Sequence, residues 1–295
     1  MWGFSRLRVD VTAPPMPRPW TGRYAERMTV PMPPDFSSDG IRSGASPWPY
    51  PRWVAHRGAG KLAPENTLAA FRLGAQHGFR MFECDVKLSA DGQLFLLHDA
   101  DLQRTTSGQG PARLQPWAAL RGLDAGAWHS PMHVGEPLLS LEVLAAWLQA
   151  NDLLVNLEIK PSPGQEAETG RAVADAVARW WPARGVQPLL SSFKVDALHA
   201  AQQAQPQLPR ALLLDASRST WLDEAQALGC VAVVPHHALL DASNIAQAHA
   251  QGLRVLTYTV NEVERAEALW EAGLDGLITD RVDLFEPEAR AEAKT

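Results

Sequence analysis

The run Phe82-Glu83-Cys84-Asp85-Val86 interleaves two acids with three apolar residues. Side chains alternate across a strand, so Glu83 and Asp85 share one face while Phe82, Cys84 and Val86 share the other. Leu157-Glu158-Ile159-Lys160-Pro161 repeats the device, with Glu158 and Lys160 on one face and Leu157 and Ile159 opposite. Two carboxylates about 7 Å apart on a buried face repel each other and lose hydration, which requires a cation or a shared proton. Read alone, Glu158 and Lys160 are a plain buried ion pair. Beside Glu83 and Asp85, the third carboxylate completes an all-oxygen set suited to a hard divalent ion. Magnesium comes first, with manganese, cobalt or calcium as substitutes. Zinc is disfavoured, because neither cysteine shares the acidic face.

Two histidines are placed to join this set. His56 and Arg57 close the apolar run Trp53-Val54-Ala55, just ahead of Gly58 and Gly60. His98 ends the run 94–98, which an Asp91-Gly92 turn folds back to set that histidine beside Glu83. His56 is the neighbour on the other side. Imidazoles, with an ordinary pKa near about 6.5, can divide base and acid roles between them. Which histidine takes which role stays open. Arg57 offers a planar fork for phosphate oxygens and Lys160 a point charge. Three carboxylates, one divalent ion and these two cations leave a single positive charge, which matches one phosphodiester.

The elements that must position these residues alternate short apolar runs with longer amphipathic stretches, as in repeated β-then-α units. Candidate strands are 53–56, 81–86, 94–98, 153–159, 189–193, 211–214, 231–235, 255–260 and 276–279. Helical patterns cover 68–77, 166–181, 243–251 and 263–272, the first capped by Asn66 or Thr67 and closed by Gly78. Trp180, Trp181, Trp221 and Trp270 read as packing between helices and sheet. Nine strands exceed the eight of a closed (β/α)8 TIM barrel by one. The seven residues between Val86 and Leu94 leave no room for a parallel crossover, so 94–98 is the returning arm of a hairpin. Residues 100–136, rich in Gly, Pro and Trp, are then a small insertion over the barrel mouth. No dinucleotide-binding glycine fingerprint and no phosphate P-loop occurs.

Composition narrows the partners. The 295 residues carry 27 Lys and Arg against 33 Asp and Glu, a net charge of −6, which argues against nucleic acid or stable membrane association. The first 51 residues hold ten of the 23 prolines, with six Arg against four acids. Proline at that density continues neither helices nor strand ladders. Residues 1–50 therefore read as a disordered or loosely packed extension, 51–288 as the barrel domain and 289–295 as a tail. Two cysteines, Cys84 and Cys230, make no disulfide framework and suit a reducing cytoplasm.

In order and spacing, the segments "VAHRGAGKLAPENT", "ECD", "LLHDADLQRT", "EIKPS", "LLSSF", "TYTVN" and "DGLITD" resemble the glycerophosphodiester phosphodiesterase family. The likeness is nearest to the cytosolic bacterial enzyme associated with glycerol-phosphate uptake. The resemblance implies a (β/α)8 barrel with an inserted subdomain, a divalent metal, and hydrolysis of small glycerophosphodiesters to sn-glycerol 3-phosphate and an alcohol. Carried over by position, His56 and His98 are the acid/base pair, and Glu83, Asp85 and Glu158 are metal ligands. Arg57 and Lys160 hold phosphate, while Phe193, Tyr258 and Asn261 line the glycerol or leaving-group side. Two alternatives follow. A catalytically silent barrel would lack a histidine or a ligand, and none is missing. A lysophospholipase D-like enzyme would want an apolar lip, and no stretch after Pro51 offers one in sequence.

Overall fold

The computed structural model describes residues 48–285 and 287. The strands are β1 (Trp53–Ala55), β2 (Met81–Leu88), β3 (Leu94–Leu96), β4 (Leu154–Ile159), β5 (Leu189–Ser192), β6 (Arg210–Leu214), β7 (Ala232–Pro235), β8 (Arg254–Thr257) and β9 (Gly276–Thr279). The helices are α1 (Leu68–Gln76), α2 (Trp117–Leu120), α3 (Leu141–Ala150), α4 (Glu166–Trp180), α5 (Val195–Ala204), α6 (Trp221–Ala227), α7 (Ala242–Ala250) and α8 (Val263–Glu271). Strands β1, β2 and β4 to β9 pair in parallel in that order, and β1 pairs with both β2 and β9. That closes an eight-stranded barrel. β3 lies outside it, antiparallel to β2 with Val86 opposite Leu96. The hairpin expected from the short 86–94 link is present, turning at Gly92 with φ +78°.

Period-two alternation divides the strand side chains between two cores. Outward residues such as Phe82, Cys84, Val86, Leu157 and Ile159 pack against the helices, with Trp181 buried and Trp180, Trp221 and Trp270 half-buried on the same layer. Inward residues Val54, Met81, Leu189, Leu213, Val234, Leu256 and Ile278 fill the barrel. The polar inward residues of β2 and β4 sit above this apolar plug, near the strand C-terminal ends.

The packed chain starts before the boundary expected at residue 51. Tyr50 is buried and, with Trp48, joins the barrel-interior cluster, and its hydroxyl donates to the Gln187 carbonyl at 2.8 Å. Both residues precede β1 and so reach the barrel from its N-terminal end. A proline-rich context hid them, because its lack of periodicity says nothing about where a single aromatic lands. The rest of the expected extension, and the expected tail at 289–295, lie outside the described residues.

The insertion after β3 carries its own small core of Phe95, Leu97, Leu102, Ala112, Leu120, Ala125 and Leu138. It leans on the loop between β1 and α1 and on the first turn of α1: His129 Nε2 meets the Lys61 carbonyl at 3.1 Å, and Glu136 accepts the Ala69 N–H at 3.0 Å. Trp128, Met132 and Val134 remain exposed there, Met132 at 90%.

Candidate active site

β1 ends at Ala55, and the chain turns abruptly. Arg57 adopts φ +50°, followed by Gly58 at +101° and Gly60 at +57°. A Cβ on Gly60 would lie 2.2 Å from the Asp280 backbone, so only glycine permits that approach. The turn has two consequences for charge. It aims the Arg57 N–H at Glu83 Oε2, 3.2 Å away. It also lays His56 beside Asp280, with Nδ1 and Oδ1 2.7 Å apart.

Glu83, Asp85 and Glu158 converge as expected, and ligand oxygens from the three lie within 4.8 Å of one another, all buried. Parallel pairing of β2 with β4, with Asp85 opposite Glu158, brings them together. Glu83 Oε1 is buried without a hydrogen-bond partner among the described residues. Glu158 Oε1 meets the Lys160 ammonium at 2.7 Å, and Asp85 Oδ1 meets it at 3.4 Å. Orphaned carboxylate oxygens in a buried cluster fit a divalent cation, which such groups bind through oxygen alone.

The electrostatics are those of a crowded anionic pocket. Burial first, and then repulsion from Asp85, pushes Glu158 up to about 7. Burial raises Glu83 well above the usual carboxylate range, reinforced by Asp85 and Glu158. Asp85 goes the other way. Burial would raise it, yet Arg57 and Lys160 outweigh that and hold it below its ordinary value. Asn66 donates to Asp85 Oδ2 at 2.8 Å, so Thr67 alone caps α1, accepting from Ala70 N.

His98 follows the hairpin back into the site. Leu97 N–H bonds the Asp85 carbonyl at 3.0 Å, extending the β2–β3 ladder toward the mouth. His98 Nδ1 lies 2.7 Å from Asp99 Oδ1. Burial, with Arg57 and Lys160 nearby, lowers its pKa despite Asp85. Each histidine thus faces an aspartate with Nδ1. An ionised carboxylate only accepts, so in the neutral ring Nδ1 carries the proton and Nε2 is left bare, while in the imidazolium Nε2 also carries a proton to give. His56 Nε2 stands 3.8 Å from Glu83 Oε2. Phe193 and Tyr258 close the opposite wall, ring centroids 5.7 Å apart, with the Lys160 ammonium 5.4 Å from the Phe193 ring.

Comparison with known proteins agrees with this geometry. The profile of the glycerophosphoryl diester phosphodiesterase family matches residues 56–284. The chain belongs to this family. It is 29% identical over 231 residues to the glycerophosphodiester phosphodiesterase of Caldanaerobacter subterraneus, covering 77% of this chain and 93% of that one. An Oleispira antarctica phosphodiesterase, solved with the product sn-glycerol-3-phosphate, superposes with a TM-score of 0.76 at 34% identity, over 79% of this chain and 95% of that one. The glycerophosphodiester phosphodiesterase of Agrobacterium tumefaciens gives 0.69 at 28% identity, over 80% and 99%. Membership makes the chain an enzyme of the phosphoric diester hydrolase class.

Beyond the residues that sequence reading singled out, the phosphodiesterase site has an outer ring of partners. Asp280 backs His56; Asp99, Glu65 and Arg104 back His98 and Arg57. Asn261 is tied to Asp280. Its amide donates to Asp280 Oδ2 at 3.0 Å, and its carbonyl accepts the Asp280 N–H at 2.9 Å. Lys87 also escaped notice, because β2 runs two residues past the expected end at 86. It is buried on the Glu83–Asp85 face and donates to the Lys160 carbonyl at 3.1 Å. Continued alternation past Val86 was the signal that could have found it.

Proposed function

We propose that this mouth hydrolyses glycerophosphodiesters to sn-glycerol 3-phosphate and an alcohol. In this reading Glu83, Asp85 and Glu158 hold one divalent ion, magnesium ahead of manganese, cobalt or calcium. His56 and His98 share the proton transfers. The observation that carries it is the convergence of two aspartate-backed imidazoles on one buried three-carboxylate cluster. When bound, such an ion supplies positive charge to phosphate oxygens and Lewis acidity toward phosphorus.

The remaining work falls to the chain's own side chains. Arg57 and Lys160 both now pair with Asp85, at 3.2 and 3.4 Å, so each stands at the rim of the cluster where a phosphate oxygen would sit. One histidine Nε2 takes the proton of the attacking oxygen. The other gives a proton to the leaving alkoxide as its bond to phosphorus breaks. Phe193 and Tyr258 present apolar ring surface to the alcohol side. Two buried free cysteines support a cytoplasmic setting. The exposed Trp128, Met132 and Val134 of the insertion favour a second reading, in which the diester carries an acyl chain and the enzyme acts as a lysophospholipase D.

A coupled assay for released glycerol 3-phosphate, run over glycerophosphodiesters and lysophospholipids, tests both readings. Chelation should abolish turnover and magnesium restore it. Full activity in protein shown metal-free by elemental analysis refutes the metal assignment.

A further inference from the structure

Arg104 belongs to the insertion rather than to the barrel, yet its guanidinium spans two carboxylates that hold the machinery. Nε and Nη2 donate to Asp99 Oδ2 and Oδ1 at 2.5 and 3.0 Å. Nη1 and Nη2 donate to Glu65 Oε2 and Oε1 at 2.9 and 2.7 Å. Two of those oxygens are shared onward. Asp99 Oδ1 meets His98 Nδ1 at 2.7 Å, and Glu65 Oε1 accepts Arg57 Nη1 at 2.9 Å. One nitrogen, Arg104 Nη2, therefore touches both the oxygen that holds His98 and the oxygen that holds Arg57.

A planar fork meeting two carboxylates bidentately fixes their planes as well as their distances. A lysine would supply a point charge without that direction. The base of the fork is itself fixed: Leu102 is buried, its N–H bonds Gly110 O at 3.0 Å, and its carbonyl accepts the Thr106 N–H and hydroxyl at 3.0 and 2.6 Å. Arg104 is 44% exposed, and pairs so open to water add little to folding stability. Arg104 first, then His98, holds Asp99 at about 2, so that carboxylate stays an acceptor for the histidine.

We propose that Arg104 is a positioning residue that sets, through Glu65 and Asp99, both the phosphate-gripping pose of Arg57 and the ring orientation of His98. The proposal rests on the roles given above to those two residues. Without Arg104, Glu65 and Asp99 each lose a bidentate partner and are free to rotate. Arg57 then keeps Asp85 at 3.2 Å as its fixed anchor and swings toward the cluster.

The test uses the full-length enzyme with saturating magnesium. Arg104→Ala should raise KM and lower kcat, each by about 10- to 100-fold, the usual span for residues that orient the primary groups. Glu65→Gln should move chiefly KM and Asp99→Asn chiefly kcat. Adding either change to Arg104→Ala should cost little more, because the paired sites act as one unit. Free guanidinium should rescue Arg104→Ala where methylammonium does not. Arg104→Ala within twofold of wild type in both parameters overturns the proposal, as does full additivity with both partners and a matching fall in Tm. If Arg57→Ala and His98→Ala are themselves near wild type, the active-site reading fails and the proposal with it. If those two are crippled and Arg104→Ala is not, the positioning role alone is refuted.

Discussion

Asp280→Asn changes one atom's chemistry and keeps the shape. In the native site Asp280 Oδ1 faces His56 Nδ1 at 2.7 Å, and Oδ2 accepts from Asn261 Nδ2 at 3.0 Å. Asn261 cannot turn over, since its carbonyl already accepts the Asp280 N–H at 2.9 Å and the Thr279 hydroxyl at 3.3 Å. An amide at 280 must therefore give its oxygen to Asn261 and its NH2 to His56. The imidazole is forced to accept at Nδ1 and to carry its proton at Nε2. That tautomer cannot take a proton at Nε2, and the protonated ring loses its counter-charge, so either catalytic role suffers. Restoring the useful tautomer costs about 1 to 3 kcal/mol in an unsatisfied hydrogen bond. Loss of the carboxylate beside a charged ring brings the total to about 3 to 5 kcal/mol, or roughly 10² to 10⁴ in kcat. KM should shift less than about threefold, because Asp280 touches neither Arg57 nor Lys160, and uniform binding sets KM. Initial rates of glycerol 3-phosphate release, with Tm as a folding control, give the answer. A kcat within about threefold of wild type would refute the tautomer reasoning.

Further outcomes concern the two histidines and two residues away from the site. His56→Ala and His98→Ala should each lower kcat by roughly 10² to 10⁴. An aryl phosphodiester, whose leaving group needs no proton, should rescue one of the two variants and not the other; equal rescue of both, or of neither, refutes the division of labour. Away from the site, burial would raise Asp275, but His249, the Val255 N–H and Arg254 together hold it below the ordinary carboxylate range. A depressed carboxylate stabilises fully above its unfolded value of about 3.9 and loses that contribution as pH falls through the folded value. Asp275→Asn should therefore cost about 3 kcal/mol at pH 7 and progressively less below about pH 4, read from urea melts; a pH-independent difference would contradict this. Tyr50→Ala should cost about 3 kcal/mol by the same melts, against about 1 for Tyr50→Phe, and an effect under about 0.5 would show that the barrel does not need this plug.

Strand alternation is a local property, and it made much of the site legible before any fold was known. The period of two put Glu83, Asp85, Glu158 and Lys160 on inward faces, and it did so whatever the strands paired with. The short link between β2 and β3 likewise excluded a parallel crossover, which reduced nine runs to eight barrel strands and returned His98 to the acids. Closure was different. His56 and Asp280 are 224 positions apart, and they meet because β1 pairs with β9 at the seam of the barrel. Nothing in the spacing of "HRG" or "ITD" encodes that distance. Asn261 joined the same group through the pairing of the successive strands β8 and β9, and Glu65 reached Arg104 because the insertion folded back over the β1–α1 loop. Tyr50, in a stretch with no periodicity, joined the barrel interior through its ring and through the distant Gln187 carbonyl that its hydroxyl meets. The residues proposed to do the chemistry lie on faces set by local pattern, and Asp99 is the sequence neighbour of the His98 it holds, whereas Asp280 and Arg104 come from distant segments that only the tertiary fold brings within hydrogen-bond reach.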